Sequence, residues 1–254
     1  MAAEESNDPT QPQEVPREEV PSERACAQDL SVTQDAVTHE PAAAGAEAGG
    51  ASGRARAASG LIDQLAERGF GVVDDFVDAA TLRALRERCL ELKAAGGLRP
   101  ATIGRNAKLA SEVRGDFISW VQQPARDAEQ GLLAKLDELR TAMNRALMTG
   151  LEDFEGHFAV YPPGAAYARH FDRLAGSDLR AISAALYLND GWCDADGGQL
   201  RMYLGGGRSE DVLPVGGRLV AFLSERFEHE VLPARRERMS FTGWFRRRSL
   251  DGYV

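Results

Sequence analysis

After Asp78 the apolar residues Leu82, Leu85, Cys89 and Leu92 recur three or four positions apart, a stripe along one side of a helix that Gly96-Gly97 would stop. A second helix is expected after Pro124, with Leu132, Leu136, Leu139, Met143 and Leu147 on one side. From Gly150 onward the pattern changes to short runs separated by turn signals, which read as strands over 154–161, 181–188, 199–204, 211–213, 218–223, 228–232 and 238–245. Gly205-Gly206-Gly207 marks a tight connection and lacks the Lys-Ser or Lys-Thr of a phosphate loop. Between the helices, the polar stretch 102–112 reads as a loop closing over substrate. It leads into a strand over 114–121 on which Arg114 and Asp116 share a face. Helices followed by many short strands predict an α+β, mainly β fold: a jelly-roll sandwich with helices packed on one sheet.

The alternation also locates candidate chemistry. In 238–245 one face carries Arg238, Ser240, Thr242 and Trp244, and a charged residue sharing a face with a Trp suggests a lined polar pocket. The neighbouring Arg235, Arg236, Arg246, Arg247 and Arg248 read instead as solvated surface. Nine residues before Arg238 stands His229, and His170 and Asp172 lie one residue apart upstream. The chain has only four histidines, so two at these places are informative; His39 lies in a tail. Two imidazoles and a carboxylate on one face of a metal leave coordination positions open, the arrangement of non-haem Fe(II) oxygenases rather than closed structural zinc sites. Arg238 supplies the charged fork that a dicarboxylate co-substrate needs.

Four segments then carry a resemblance: Arg114-Gly115-Asp116-Phe117-Ile118-Ser119-Trp120; the run from Tyr161 to Asp172; Tyr187-Leu188-Asn189 with Gly197-Gly198-Gln199-Leu200-Arg201; and His229-Glu230-Val231 with Arg238, Thr242 and Trp244. Over roughly residues 60 to 248 the chain resembles the Fe(II)- and 2-oxoglutarate-dependent prolyl hydroxylases, the oxygen-sensing type and its bacterial relatives. The resemblance implies a double-stranded β-helix in which His170, Asp172 and His229 bind iron. Arg238 would pair with the distal carboxylate of 2-oxoglutarate, and Tyr187 would hydrogen-bond it. Thr242 and Trp244 would line the far wall, and Tyr161 and Tyr167 would stand near co-substrate and metal. Two departures stand out. The segment from Tyr161 to His170 is one residue shorter than in the animal enzymes, and His157, on the strand face of Tyr161, occupies the place of their methionine.

By the same resemblance the expected reaction consumes O2 and 2-oxoglutarate, releases succinate and CO2, and hydroxylates a prolyl residue of a protein held beneath the loop around Arg105 to Glu112. Relatives act on regulators of oxygen response and on components of translation, and ascorbate is implied as reductant. Two rivals stay open: hydroxylation of a free amino acid or small metabolite, and a non-catalytic cupin-like module that binds metal and a partner. The second is disfavoured because a structural metal needs no dicarboxylate anchor.

Charge separates the chain into regions. Residues 1–50 hold eleven acidic and two basic residues, a net of minus nine that equals the formal charge of the whole chain. That segment lacks aromatic residues and is rich in Ala, Pro, Glu, Gln and Ser, so 1–58 reads as a disordered acidic tail and linker. The dioxygenase domain is expected over 59–248, its catalytic motifs over 154–246, and a short tail over 249–254. The tail has neither signal-peptide nor transit-peptide character, and no stretch is apolar enough to span a membrane. Beyond its C-terminal arginines the balanced domain offers no basic groove for nucleic acid. Cys26, Cys89 and Cys193 show no zinc or disulfide spacing, which fits a reducing, cytoplasmic compartment, with Cys89 on the helical apolar stripe.

Overall fold

The computed structural model describes residues 58–102, 113–172 and 179–248. The expectations for the acidic tail, for the loop from Arg105 to Glu112 and for the last residues lie outside them. A helix over 58–68, α1, precedes β1 (Phe70–Val73), and helices α2 (Ala79–Ala94) and α3 (Asp127–Leu147) flank β2 (Arg99–Pro100) and β3 (Phe117–Trp120). The remainder is β4 (Leu151–Tyr161), β5 (Tyr167–His170), β6 (Arg180–Tyr187), β7 (Leu200–Gly205), β8 (Arg208–Val212), β9 (Leu219–Leu223), β10 (His229–Val231) and β11 (Arg238–Arg247).

The strands form two antiparallel sheets, one ordered β1-β9-β6-β11-β4-β3-β2 and the other β5-β10-β7-β8. The expected sandwich with helices on one sheet is what forms. Leu85 and Cys89 of α2, and Leu132, Leu136, Leu139 and Met143 of α3, pack with Phe158, Ile182, Leu186, Phe241 and Phe245 from one face of the larger sheet. A second cluster, including Tyr161, Tyr187, Met202, Val220, Phe222 and Val231, fills the space between the sheets. Cys89 is fully buried, and that burial pushes its thiol up to about 12, so it packs as an inert core residue.

The helix limits follow from capping. Asp78 Oδ1 accepts the Thr81 amide at 2.8 Å, and the Gly97 amide donates to the Leu92 carbonyl at 2.8 Å beside Gly96 at φ +64°. Buried Glu129 accepts the Arg126 backbone N–H at 3.0 Å at the start of α3 and Arg88 Nε at 2.8 Å, which ties α3 to α2.

Where β4 and β11 pair, Gly156 stands opposite Gly243. A Cβ on Gly243 would lie 2.2 Å from the Glu155 carbonyl oxygen and 2.5 Å from the Phe154 ring, and one on Gly156 would lie 2.9 Å from the Phe241 ring. The missing side chains let the Phe154 and Phe241 rings lie close to the backbone.

Several expectations need correction. The strand expected from Arg114 begins only at Phe117; the Arg114 backbone instead forms an isolated bridge with Tyr167, and its guanidinium pairs with Asp116. Four elements had no counterpart in the sequence reading: α1, β1, β2 and β5. The strand placed at 211–213 runs over Arg208–Val212 and closes a hairpin with β7 through Gly206-Gly207. Arg246 is not simply solvated; it pairs with Asp153 at 2.6 Å and Glu155 at 3.0 Å.

Candidate active site

The strand pair β5·β10 brings the candidate ligands together by register, with His229 directly opposite His170. Asp172 lies two residues beyond the end of β5. His170 Nε2 lies 3.5 Å from Asp172 Oδ1 and His229 Nε2 lies 3.7 Å from Asp172 Oδ2. The potential ligand atoms of the three side chains all fall within 4.8 Å of one another. The other nitrogen of each ring is committed: His170 Nδ1 to the Ala168 carbonyl at 2.8 Å and His229 Nδ1 to the Phe227 carbonyl at 3.2 Å. Those bonds place the ring proton on Nδ1 and turn both Nε2 lone pairs inward, the tautomer a metal ligand needs. Tyr167 stacks on His170 with centroids 3.6 Å apart, and Phe222 meets His229 edge-on at 4.7 Å, so both rings are braced.

Electrostatics favours the same assignment. Burial pushes the Asp172 carboxyl up, but His229, His170 and the Ser183 hydroxyl outweigh it and hold it well below the usual carboxylate range. Burial holds His229 below the ordinary imidazole value, opposed by Asp172. An ionised carboxylate beside the His229 imidazole, held toward its neutral form, suits a metal ligand set.

The three ligands line a cavity of about 560 Å³, open mouth included, between the sheets. The co-substrate candidates Arg238, Tyr187, Tyr161, Thr242 and Trp244 line it too, as do Tyr167, His157, Arg114 and Asp116. Arg238 is 3% exposed and forms no ion pair with an acidic side chain among the described residues. Its guanidinium carbon sits 5.2 Å from the Tyr161 ring centroid and 5.0 Å from that of Tyr187, and its Nε donates to the Gly198 carbonyl at 2.9 Å. Gly198, at φ +72°, admits that approach; a Cβ there would lie 3.2 Å from Arg238 Cδ. Burial raises the Tyr187 phenol above its ordinary value, partly offset by Arg238, and that of Tyr161 well above it. Among the described residues, the buried side-chain polar atoms without a partner are Tyr187 Oη, Trp244 Nε1 and both ring nitrogens of His157, and all belong to this cavity. A buried unpaired cation beside orphaned hydrogen-bonding atoms is a site prepared for a small anion.

Arg114 and Asp116 form a bidentate pair at 2.7 and 3.0 Å, with Asp116 buried and the guanidinium carbon of Arg114 4.8 Å from the Tyr167 ring centroid. Thr242 is occupied by Ser240, 3.1 Å between hydroxyl oxygens.

Sequence reasoning missed Ser183, whose hydroxyl donates to Asp172 Oδ2 at 2.7 Å, and Arg180, whose guanidinium carbon lies 3.5 Å from the Trp244 ring centroid. Ser183 had a signal, since it shares the strand parity of Tyr187.

Residues 156–246 match the sequence profile of the 2OG-Fe(II) oxygenase superfamily. The crystal structure of a Pseudomonas putida prolyl-4-hydroxylase is 49% identical, covers 75% of this chain and 99% of its own, and superposes with a TM-score of 0.70. This chain belongs to the prolyl hydroxylase family of 2OG-Fe(II) oxygenases. A Trichoplax adhaerens prolyl hydroxylase, solved with a hypoxia-inducible factor peptide fragment, superposes on this family member with a TM-score of 0.73 at 25% identity, over 79% of this chain and 94% of that one. A Caenorhabditis elegans hypoxia-inducible factor prolyl hydroxylase is 30% identical over 203 residues, 73% of this chain; the chain spans 27% of that relative's length. The family uses Fe(II), 2-oxoglutarate and O2, and the inward Nε2 atoms, the ionised Asp172 and the unpaired Arg238 fit the metal and the dicarboxylate.

Proposed function

We propose that this protein hydroxylates a prolyl residue of a polypeptide, consuming 2-oxoglutarate and O2 and releasing succinate and CO2. His170, Asp172 and His229 hold Fe(II), and Arg238, Tyr187, Tyr161, Thr242 and Trp244 serve the co-substrate. The observation that carries the reading is a single cavity combining a ligand triad with a buried, unpaired Arg238 beside an orphaned Tyr187 hydroxyl.

Each group has a definable task. Arg238 forms charge-assisted bonds to the distal carboxylate of 2-oxoglutarate, and Tyr187 Oη donates to the same group. The Tyr161 ring, against the Arg238 guanidinium, keeps that end dry and strengthens the pairing. Ser183 fixes one oxygen of Asp172, so the carboxylate cannot swing away from the metal position. Bound iron supplies the activation of O2 that lets an unactivated C–H bond be oxidised. Thr242 and Trp244 form the wall facing the reacting end, with Trp244 clamped beneath Arg180.

The prolyl substrate is supported by the relatives: the Pseudomonas putida protein is a prolyl-4-hydroxylase, and the Trichoplax adhaerens enzyme was solved with a peptide. Exposed Trp120 and Phe171 offer apolar surface of the kind a polypeptide covers. The test compares peptides, by mass spectrometry, from cells carrying the wild-type protein and cells carrying only Asp172→Ala. A wild-type-only increase of one oxygen on a proline is expected. Identical peptide maps, together with 2-oxoglutarate turnover stimulated by a free amino acid, would move the substrate to the small-molecule class.

A further inference from the structure

His157 is the polar side chain whose position the proposed function leaves unused. It is 1% exposed, lines the cavity, and neither Nδ1 nor Nε2 has a hydrogen-bond partner. Its ring is held between Trp120, with centroids 4.7 Å apart, and Trp244, at 5.6 Å. A buried imidazole with both nitrogens idle is unfavourable, so a cavity occupant must satisfy it.

Register says which end of the cavity it serves. Arg238 pairs with Tyr161 across β11·β4, and Thr242 pairs with His157, four residues farther along the same face. A dicarboxylate anchored at Arg238 and directed along this face would pass Ser240 and Ala159 toward Thr242 and His157. Ala159 is apolar and Thr242 is engaged with Ser240, which leaves His157 as the uncommitted polar group of those two residue pairs. The nearby cations are spent, Arg114 on Asp116 and Arg180 on Glu155 at 2.8 Å. A polypeptide at the mouth is screened from His157 by Trp120, itself 45% exposed.

We propose that His157 binds the 2-oxo-acid end of 2-oxoglutarate, donating a hydrogen bond from its ring N–H, so that the co-substrate is held by protein at both ends. The inference rests on the co-substrate assignment made under the proposed function. Burial and the charges of Arg114 and Arg180, opposed by Asp172, push the imidazole down to about 3; it stays neutral and adds no repulsion toward a bound divalent metal.

The experiment is an anaerobic titration of the full-length Fe(II)-loaded protein with 2-oxoglutarate, reading the position and half-saturation of the visible charge-transfer band. Melting curves of the ligand-free protein accompany it. His157→Met keeps the volume and removes the hydrogen bond, whereas His157→Gln retains a donor. The expected result is about tenfold weaker 2-oxoglutarate binding and a displaced band for His157→Met, partial recovery for His157→Gln, and a ligand-free melting temperature no lower than wild type. Unchanged half-saturation and band position in His157→Met would overturn the inference while leaving the functional reading intact. Equal weakening in both variants with a lowered melting temperature would also overturn it, since that is a packing role. Absence of the band in the wild-type protein would instead remove the functional reading, and this inference with it.

Discussion

The two faces of the larger sheet are made from the same strands and obey different rules. Toward the helices, alternate residues of β4, β6 and β11 present Phe158, Val160, Ile182, Leu186, Met239, Phe241 and Phe245, all buried and apolar. Toward the second sheet, the residues between them present His157, Tyr161, Ser183, Tyr187, Arg238, Ser240, Thr242 and Trp244. The first face is complete in itself. Among the described residues, the second keeps a buried cation without a counter-ion and several idle polar atoms, an arrangement that lowers stability until something binds. Stability and function are thus assigned to opposite parities of one set of strands.

The sharpest way to break that division is Asp172→Ala. It removes the only carboxylate of the ligand set, so iron retention measured by metal analysis and 2-oxoglutarate turnover are both expected to vanish while the fold persists. On the helix face, Phe241→Ala is expected to cost about 3 to 5 kcal/mol in denaturant unfolding, with unaltered 2-oxoglutarate affinity in the fraction that stays folded. A matching loss of affinity would show that the faces are coupled. Arg238→Ala is expected to weaken 2-oxoglutarate binding on the order of 100-fold by calorimetric titration, without destabilising the ligand-free protein, because it takes away an uncompensated buried charge. Tyr187→Phe is the mildest case. About tenfold weaker binding and an equal or higher ligand-free melting temperature are expected, and a marked drop in that temperature would place the Tyr187 hydroxyl in the structural class after all.

Much of this division was legible in the chain because parity and helical spacing are local. In the stripe from Leu82 to Leu92 the middle residues Leu85 and Cys89 are buried and the ends pack half-buried on the core, the stripe from Leu132 to Met143 is buried, and Arg238, Ser240, Thr242 and Trp244 share the cavity face. What escaped is non-local or weakly patterned. Strand β5 is four residues long with Ala168 and Arg169 exposed, and its identity depends on pairing with β10, far away in sequence. Leu61, Ile62 and Leu65 do bury, but their helix begins against a run of Ala, Gly and Arg that dilutes the signal. Ser183 becomes a partner of Asp172 only when β6 passes beneath the segment after β5, a relation no spacing encodes.

The facing glycines of β4 and β11 act as a keyway. With Phe154 and Phe241 seated over Gly156 and Gly243, sliding either strand by one pairing step would press a ring against a side chain instead of bare backbone. A two-residue slip keeps every side chain on its proper face, so hydrophobic patterning alone does not forbid it. It would nonetheless carry Arg238 about 7 Å from its station opposite Tyr161. Two residues with no side chain, on the helix side of the sheet, thereby help to hold Arg238 at its station opposite Tyr161.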